Sequence, residues 1–194
     1  LRLLTVAFGM YGSNSKNYGD GFTTMYGANH EDIAYSYRTG NHGDGSWYSI
    51  NGNIDYQRTS RKNKQRMITF SYKINTQPQT SNSNTGYEDI HAKEEVDDLV
   101  KRLLLKNSQS DGKTNTMEQT FQVDYTTPIG ELHTVEAGAK YIFRCNTSDN
   151  KLYEAAGGSD DYLYNEDRSS DYRHLNHILA AYLGYTLKYK DFTF

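Results

Sequence analysis

The stretch Met117–Arg144, MEQTFQVDYTTPIGELHTVEAGAKYIFR, holds two runs of alternating side chains separated by a short turn. In the first, Met117, Phe121, Val123 and Tyr125 stand against Glu118, Thr120, Gln122 and Asp124, and Gln119 is the one polar residue on the apolar side. In the second, Val135, Ala137, Ala139, Tyr141 and Phe143 stand against Thr134, Glu136, Gly138, Lys140 and Arg144. Successive side chains of a strand point to opposite faces, so each run is a strand with one apolar and one polar face.

The same period of two extends in both directions. Within WYSINGNIDYQ, Tyr48, Ile50, Gly52, Ile54 and Tyr56 alternate with Ser49, Asn51, Asn53, Asp55 and Gln57. Within RMITFSYKIN, Ile68, Phe70, Tyr72 and Ile74 alternate with Met67, Thr69, Ser71, Lys73 and Asn75. The first residues follow suit less cleanly, with Leu4, Val6, Phe8 and Met10 on one side. From Asn176 to Lys188 both faces are apolar, and Leu179, Ala181, Leu183 and Tyr185 are placed outward.

Connections alternate between short ones, at 59–65, 127–132 and 188–190, and long ones, at roughly 13–45, 77–115 and 146–173. Tight turns on one edge and long loops on the other is the sidedness of an outer-membrane barrel. Structureless loops of that length are rare in compact soluble domains. They are rich in Gly, Asn, Ser and Asp, as in GSNSKNYGDG and AAGGSDDYLYNEDRSSD. One of them, HAKEEVDDLVKRLLLKN, carries Val96, Leu99, Val100 and Leu103 at helical spacing. Acids stand at its start and Lys101, Arg102 and Lys106 towards its end, which predicts a loop helix near 92–106.

Composition agrees with alternation in place of a large core. Only 36% of residues are hydrophobic, mean hydropathy is −0.86, and yet 18 residues are Tyr. The net charge of −3, from 21 basic and 24 acidic residues, implies no general attraction to nucleic acid. The single Cys145 excludes an internal disulfide framework and a multi-Cys metal site. No run of 18 apolar residues exists, which excludes a transmembrane helix but not barrel strands, since those are half polar. Tyr48 and Tyr56 lie eight residues apart on one face, roughly 26 Å at about 3.3 Å per residue. A tilt of about 40° reduces this to roughly 20 Å, close to the ~25 Å apolar band between aromatic girdles. Tyr125 and Tyr185 fall near short-turn ends, and Tyr141 and Phe143 near a long-loop end. The other reading of the Tyr excess is simple strand propensity.

The segment 117–144 resembles the strand–turn–strand of an outer-membrane barrel family of Bacteroidota related to TonB-dependent receptors, in which a DY…P strand end leads to an EAG.KY..R strand. NIDYQRTSRKNKQRMITFSYKI is similar to the preceding hairpin, and NHILAAYLGYTLKYKDFTF to the following strand and turn. The resemblance covers most of the chain outside the loops. It implies a large barrel with an N-terminal plug domain, energised through TonB and importing a bulky or scarce nutrient. Its partners would be outer-membrane lipid, the rest of the barrel, TonB and a surface lipoprotein, with a small-molecule or oligomeric ligand.

The expectation is therefore an all-β antiparallel meander of about seven strands, residues 1–194 forming part of a single transmembrane β-barrel domain whose plug and remaining strands lie outside this stretch. The expected location is the bacterial outer membrane. Lys73, Glu118, Asp124, Glu136, Lys140 and Arg144 are the lumen-facing candidates. Glu136, Lys140 and Arg144 share one face as a charge ladder that contacts either a substrate or plug, or else only neighbouring wall residues. His174, His177 and Asp171 suggest a metal site only if they converge, and strand positions three apart point oppositely. The acids Asp160, Asp161, Glu166 and Asp167 lack the EF-hand spacing. No G-x-S-x-G, P-loop or G-x-G-x-x-G occurs, so neither catalytic residues, metal nor cofactor is expected. The rival reading is a secreted, soluble β-sandwich that binds carbohydrate or mediates adhesion.

Overall fold

A computed structural model describes residues 1–28, 31–94, 97–101, 105–189 and 192–193, with side chains as far as Lys188. The strands in chain order are β1 (Arg2–Tyr26), β2 (Ile33–Thr59), β3 (Met67–Ala92), β4 (Lys106–Ile129), β5 (His133–Ala156), β6 (Leu163–Tyr164), β7 (Ser170–Tyr189) and β8 (Phe192–Thr193). A short helix, α1 (Asp97–Leu99), precedes β4. The sheet runs β1-β2-β3-β4-β5-β7-β8, each neighbour antiparallel, and β6 pairs with β5. It is an antiparallel meander that does not close on itself, and β1 is one edge.

Register turns the alternation of each strand into continuous rows. Val6 faces Ile54, Ile54 faces Tyr72, Tyr72 faces Phe121, Phe121 faces Tyr141 and Tyr141 faces Leu179. The row below runs Leu4, Tyr56, Phe70, Val123, Ala139 and Ala181. A one-residue slip in any ladder would break both rows, so the burial preference of the apolar face pins every register at once. This face stays open: Val6, Phe8, Leu179 and Leu183 are 64%, 73%, 78% and 78% exposed. Six strands presenting such a surface to water would form an apolar patch far larger than soluble proteins carry. The opposite face is polar and concave, and Ser49, Thr120 and Ser148 are buried on it.

Two polar residues on the apolar face have partners there. The Tyr72 hydroxyl donates to Gln119 Oε1 at 3.3 Å, which accommodates the exception in the β4 pattern. The Tyr141 hydroxyl and His177 Nδ1 are 2.6 Å apart. Tyr141 therefore lies mid-band, not near a loop end as its sequence position suggested, because β5 continues to Ala156. Glycines receive aromatic rings from the next strand. A Cβ on Gly12 would sit 2.4 Å from Tyr48 Cδ1, and one on Gly138 would sit 2.2 Å from Tyr182 Cε1.

The strands run much further than the apolar pattern. The long connections expected at 13–45, 77–115 and 146–173 are mostly strand, and the intervals between strands shrink to 27–32, 93–105 and 157–169. At about 3.3 Å per residue, β2 with its 27 residues is roughly 90 Å long, several times the ~25 Å apolar band. The Gly, Asn and Ser composition of these extensions hides them from propensity, but the ladder and its side chains hold them. Ser46 Oγ and Thr80 Oγ1 are 2.7 Å apart, Thr85 Oγ1 donates to Asn41 Oδ1 at 3.0 Å, and Asn82 Nδ2 donates to Asp44 Oδ2 at 3.2 Å. The short connections fall at 60–66 and 130–132, close to expectation, and residues 190–191 of the third lie outside the described residues.

Among the described residues of the predicted helix, Asp97–Leu99 are α-helical and Val100 and Lys101 follow in a wide turn, with Lys101 Nζ 2.9 Å from Asp97 Oδ2. Val96 and Leu103 of its expected stripe lie outside the described residues. His91 and Ala92 belong instead to β3, and Lys106 to β4.

Candidate functional site: the lumenal wall

The concave polar face carries all six residues singled out by alternation. Lys73 on β3, Glu118 and Asp124 on β4, and Glu136, Lys140 and Arg144 on β5 share it, because the ladders run unbroken between them. Glu118 and Arg144 face each other directly, and Arg144 Nε donates to Glu118 Oε2 at 2.6 Å. Asp124 Oδ1 accepts the Tyr182 hydroxyl at 2.8 Å, while Gln122 Nε2 reaches Asp124 Oδ2 at 2.8 Å. Glu136 faces Gly184 across the β5–β7 ladder. Part of the charge ladder is thus a wall network.

The remaining cations differ. Lys73 and Lys140 form neither a hydrogen bond nor an ion pair within 4 Å among the described residues, whereas Arg144 does. Both line a concavity of about 470 Å³ together with Asp55, Ser71, Glu118 and Gln122. Asp55 belongs to this group although the alternation did not mark it off from its polar neighbours. Asn53 Nδ2 donates to it at 2.8 Å. Tyr182 was not legible as a wall residue, because β7 is apolar on both faces and only register shows which side it takes. The arrangement provides a polar wall with fixed charges of both signs, two of them ammonium groups that form no ion pair within 4 Å among the described residues.

His174 and His177 emerge on opposite faces of β7, since His174 pairs with Asn146 on the lumenal face and His177 with Phe143 on the apolar one. They do not converge. The acidic segment is ordered by a different residue, Glu154 near the end of β5. Its Oε2 accepts from Asn165 Nδ2 at 2.6 Å and its Oε1 from Arg168 Nη1 at 2.6 Å, with Lys106 Nζ 3.7 Å away. The Asn165 amide above all, and then Lys106 and Arg168, hold its carboxyl below the ordinary glutamate range. Asn107 fastens the same end: its buried amide accepts from the Tyr87 N–H at 2.8 Å and donates to the Ser159 carbonyl at 3.0 Å.

No curated protein matches the chain. The profile of the outer membrane protein beta-barrel family matches residues 60–194, which is more than half of the sequence. The chain belongs to the outer membrane protein beta-barrel family. Membership puts the barrel in the bacterial outer membrane and its apolar rows against lipid. The match begins in the turn before β3, and β1 and β2 continue the same rows upstream of it. The six charged residues lie on the face opposite those rows.

Proposed function

We propose that this barrel is the wall of a TonB-dependent receptor-like protein that binds a nutrient and admits it across the outer membrane. The observation that carries the reading is the wall at membrane depth: Lys73 and Lys140, which form no ion pair within 4 Å among the described residues, over a concavity of about 470 Å³. A purely structural wall has no need to hold ammonium groups apart from the nearby carboxylates. A barrel that seats a plug domain and passes a ligand between plug and wall has such a need, because contacts there must form and release. The edge of β1 also calls for further wall. Its unpaired backbone groups at Leu4 to Met10 would lie in lipid, where each unsatisfied group costs several kcal/mol, so further strands complete the pairing. TonB and a surface lipoprotein are the proposed energy source and capture partner, and the wall itself performs no covalent chemistry.

The test uses the full-length protein in its own host. Growth and uptake are compared on a panel of nutrient sources after deletion of the protein and, separately, after loss of TonB function. A nutrient-specific defect shared by both strains is expected. A defect that appears without the protein but not without TonB function overturns energised uptake, and the absence of any nutrient-specific defect overturns uptake altogether.

A further inference from the structure

Above the apolar band the two faces of the extended strands divide sharply in charge. On the outer face stand Lys16, Asp44, Asp111, Lys113, Asp149 and Lys151. On the lumenal face, β1 to β4 carry no acid and no Lys or Arg between this level and Thr23, Tyr37, Tyr87 and Ser108, and the Glu154 cluster with Lys106 and Arg168 stands beside the upper end. From Tyr37 to Ser49 of β2 the lumenal positions are Tyr, Thr, Asn, Gly, Gly, Trp and Ser. From Asn75 to Tyr87 of β3 they are Asn, Gln, Gln, Ser, Ser, Thr and Tyr, and from Ser108 to Thr116 of β4 they are Ser, Ser, Gly, Thr and Thr. Neutrality is not a general property of this lumen, because Lys73, Glu118 and Arg144 line it immediately below. Solvated protein surface is ordinarily about a quarter to a third charged. A hydrated stretch of β1 to β4 that keeps its charges on the far side has been shaped by what touches it.

Two groups of aromatic rings mark the ends of this neutral lane. At its base Tyr11 and Trp47 meet edge to face, with centroids 5.7 Å apart, and remain 58% and 45% exposed. At its top Tyr37 stacks on Tyr35 at 6.2 Å and meets the Tyr87 edge at 5.5 Å. Trp47 and Tyr37 are ten residues apart on one strand, roughly 33 Å. We infer that this lane, from Tyr11 and Trp47 to Tyr37 and Tyr87, binds an uncharged oligosaccharide. Hydroxyl and amide side chains both donate and accept, which suits a ligand whose surface is mostly hydroxyl groups. Aromatic faces take the C–H faces of sugar rings, and their apolar bodies lose little by leaving water. A charged ligand would leave its charge unmatched along the whole lane. The span suits a chain of several sugars better than a monosaccharide.

The inference deepens the uptake reading by naming a substrate class, and it rests on that reading only for what happens after binding. The purified full-length protein in detergent is probed with an array of neutral glucan, mannan, xylan and galactan oligosaccharides. Sulfated and uronic-acid oligosaccharides and uncharged peptides are printed beside them. Binding to at least one neutral series is expected, weakened at least roughly tenfold in Trp47→Ala, as for an aromatic anchor. Trp47→Tyr should retain most of it, and Asp44→Ala on the outer face should retain all of it. Each variant is first checked for a folded barrel by its heat-dependent gel mobility. Binding only of acidic glycans or peptides, binding of nothing, or neutral binding indifferent to Trp47→Ala and Tyr11→Ala each overturns the inference. Failure of the uptake reading looks different: neutral glycans still bind on the array, but growth on them does not depend on TonB.

Discussion

Ile54 and Asn53 are adjacent in sequence and meet different solvents. Ile54 sits in the central apolar row between Val6 and Tyr72, and Asn53 turns into the lumen opposite Ala7 and Lys73. Arginine at Ile54 or at Phe70 should therefore destabilise the intact barrel by about 2–4 kcal/mol, the cost of a cation at mid-bilayer depth. Thr69→Asn on the other face should shift stability by far less, as a surface substitution does. Equal losses, read by denaturant unfolding in detergent or lipid, would mean that both faces are packed. At this scale much was legible: period-two alternation alone assigned the side of every residue from Thr134 to Tyr141. The partners were not. That Glu118 meets Arg144, or Asp124 meets Tyr182, depends on register between segments 26 and 58 residues apart in sequence. Gln119 shows the same limit, for its partner Tyr72 lies on the neighbouring strand.

Strand length is where composition misleads. Segments such as GSNSKNYGDG carry turn residues and no apolar stripe, so local preference favours loop. They extend as strands because each hydrogen-bonded pair positions the next, and cross-strand contacts such as Ser46 with Thr80 add to the ladder. The segment 157–169, inside the long loop expected at 146–173, lies along β5 through β6 and is tied to Glu154. Only 13% of the Glu154 side chain is exposed, and its bonds to Asn165 and Arg168 favour the ionised form. A carboxyl held below its ordinary pKa stabilises the folded arrangement above the unfolded value, about 4.3, and that contribution fades as pH falls through the lowered folded value. Protection of the 163–169 amides from hydrogen exchange, taken relative to the intrinsic rate at each pH, should accordingly stay high at neutral pH and fall only in acid below the unfolded value. In Glu154→Gln that protection should already be lower at neutral pH and show no acid step. An unchanged exchange profile in that variant would remove Glu154 from its role as the clasp.

On the scale of the whole molecule, the apolar rows, the extended polar strands and the family membership describe one object crossing one membrane. Turns at 60–66 and 130–132 close the strands at one end, and the long strand extensions project from the other. An outer-membrane barrel keeps its tight turns in the periplasm and its larger elements outside the cell. Asn63 lies in a tight turn, and Asn82 is exposed on the extended part of β3. Between them β3 carries the apolar positions Ile68 to Ile74, whose neighbours on β2 and β4 are in the lipid-facing rows. The most direct measurement is single-cysteine labelling in living cells with a membrane-impermeant maleimide, in a background where Cys145 is replaced by Ser. Asn82→Cys should label on intact cells, and Asn63→Cys only after the outer membrane is permeabilised. Labelling of Asn63→Cys on intact cells, or equal labelling of both sites, would contradict the account.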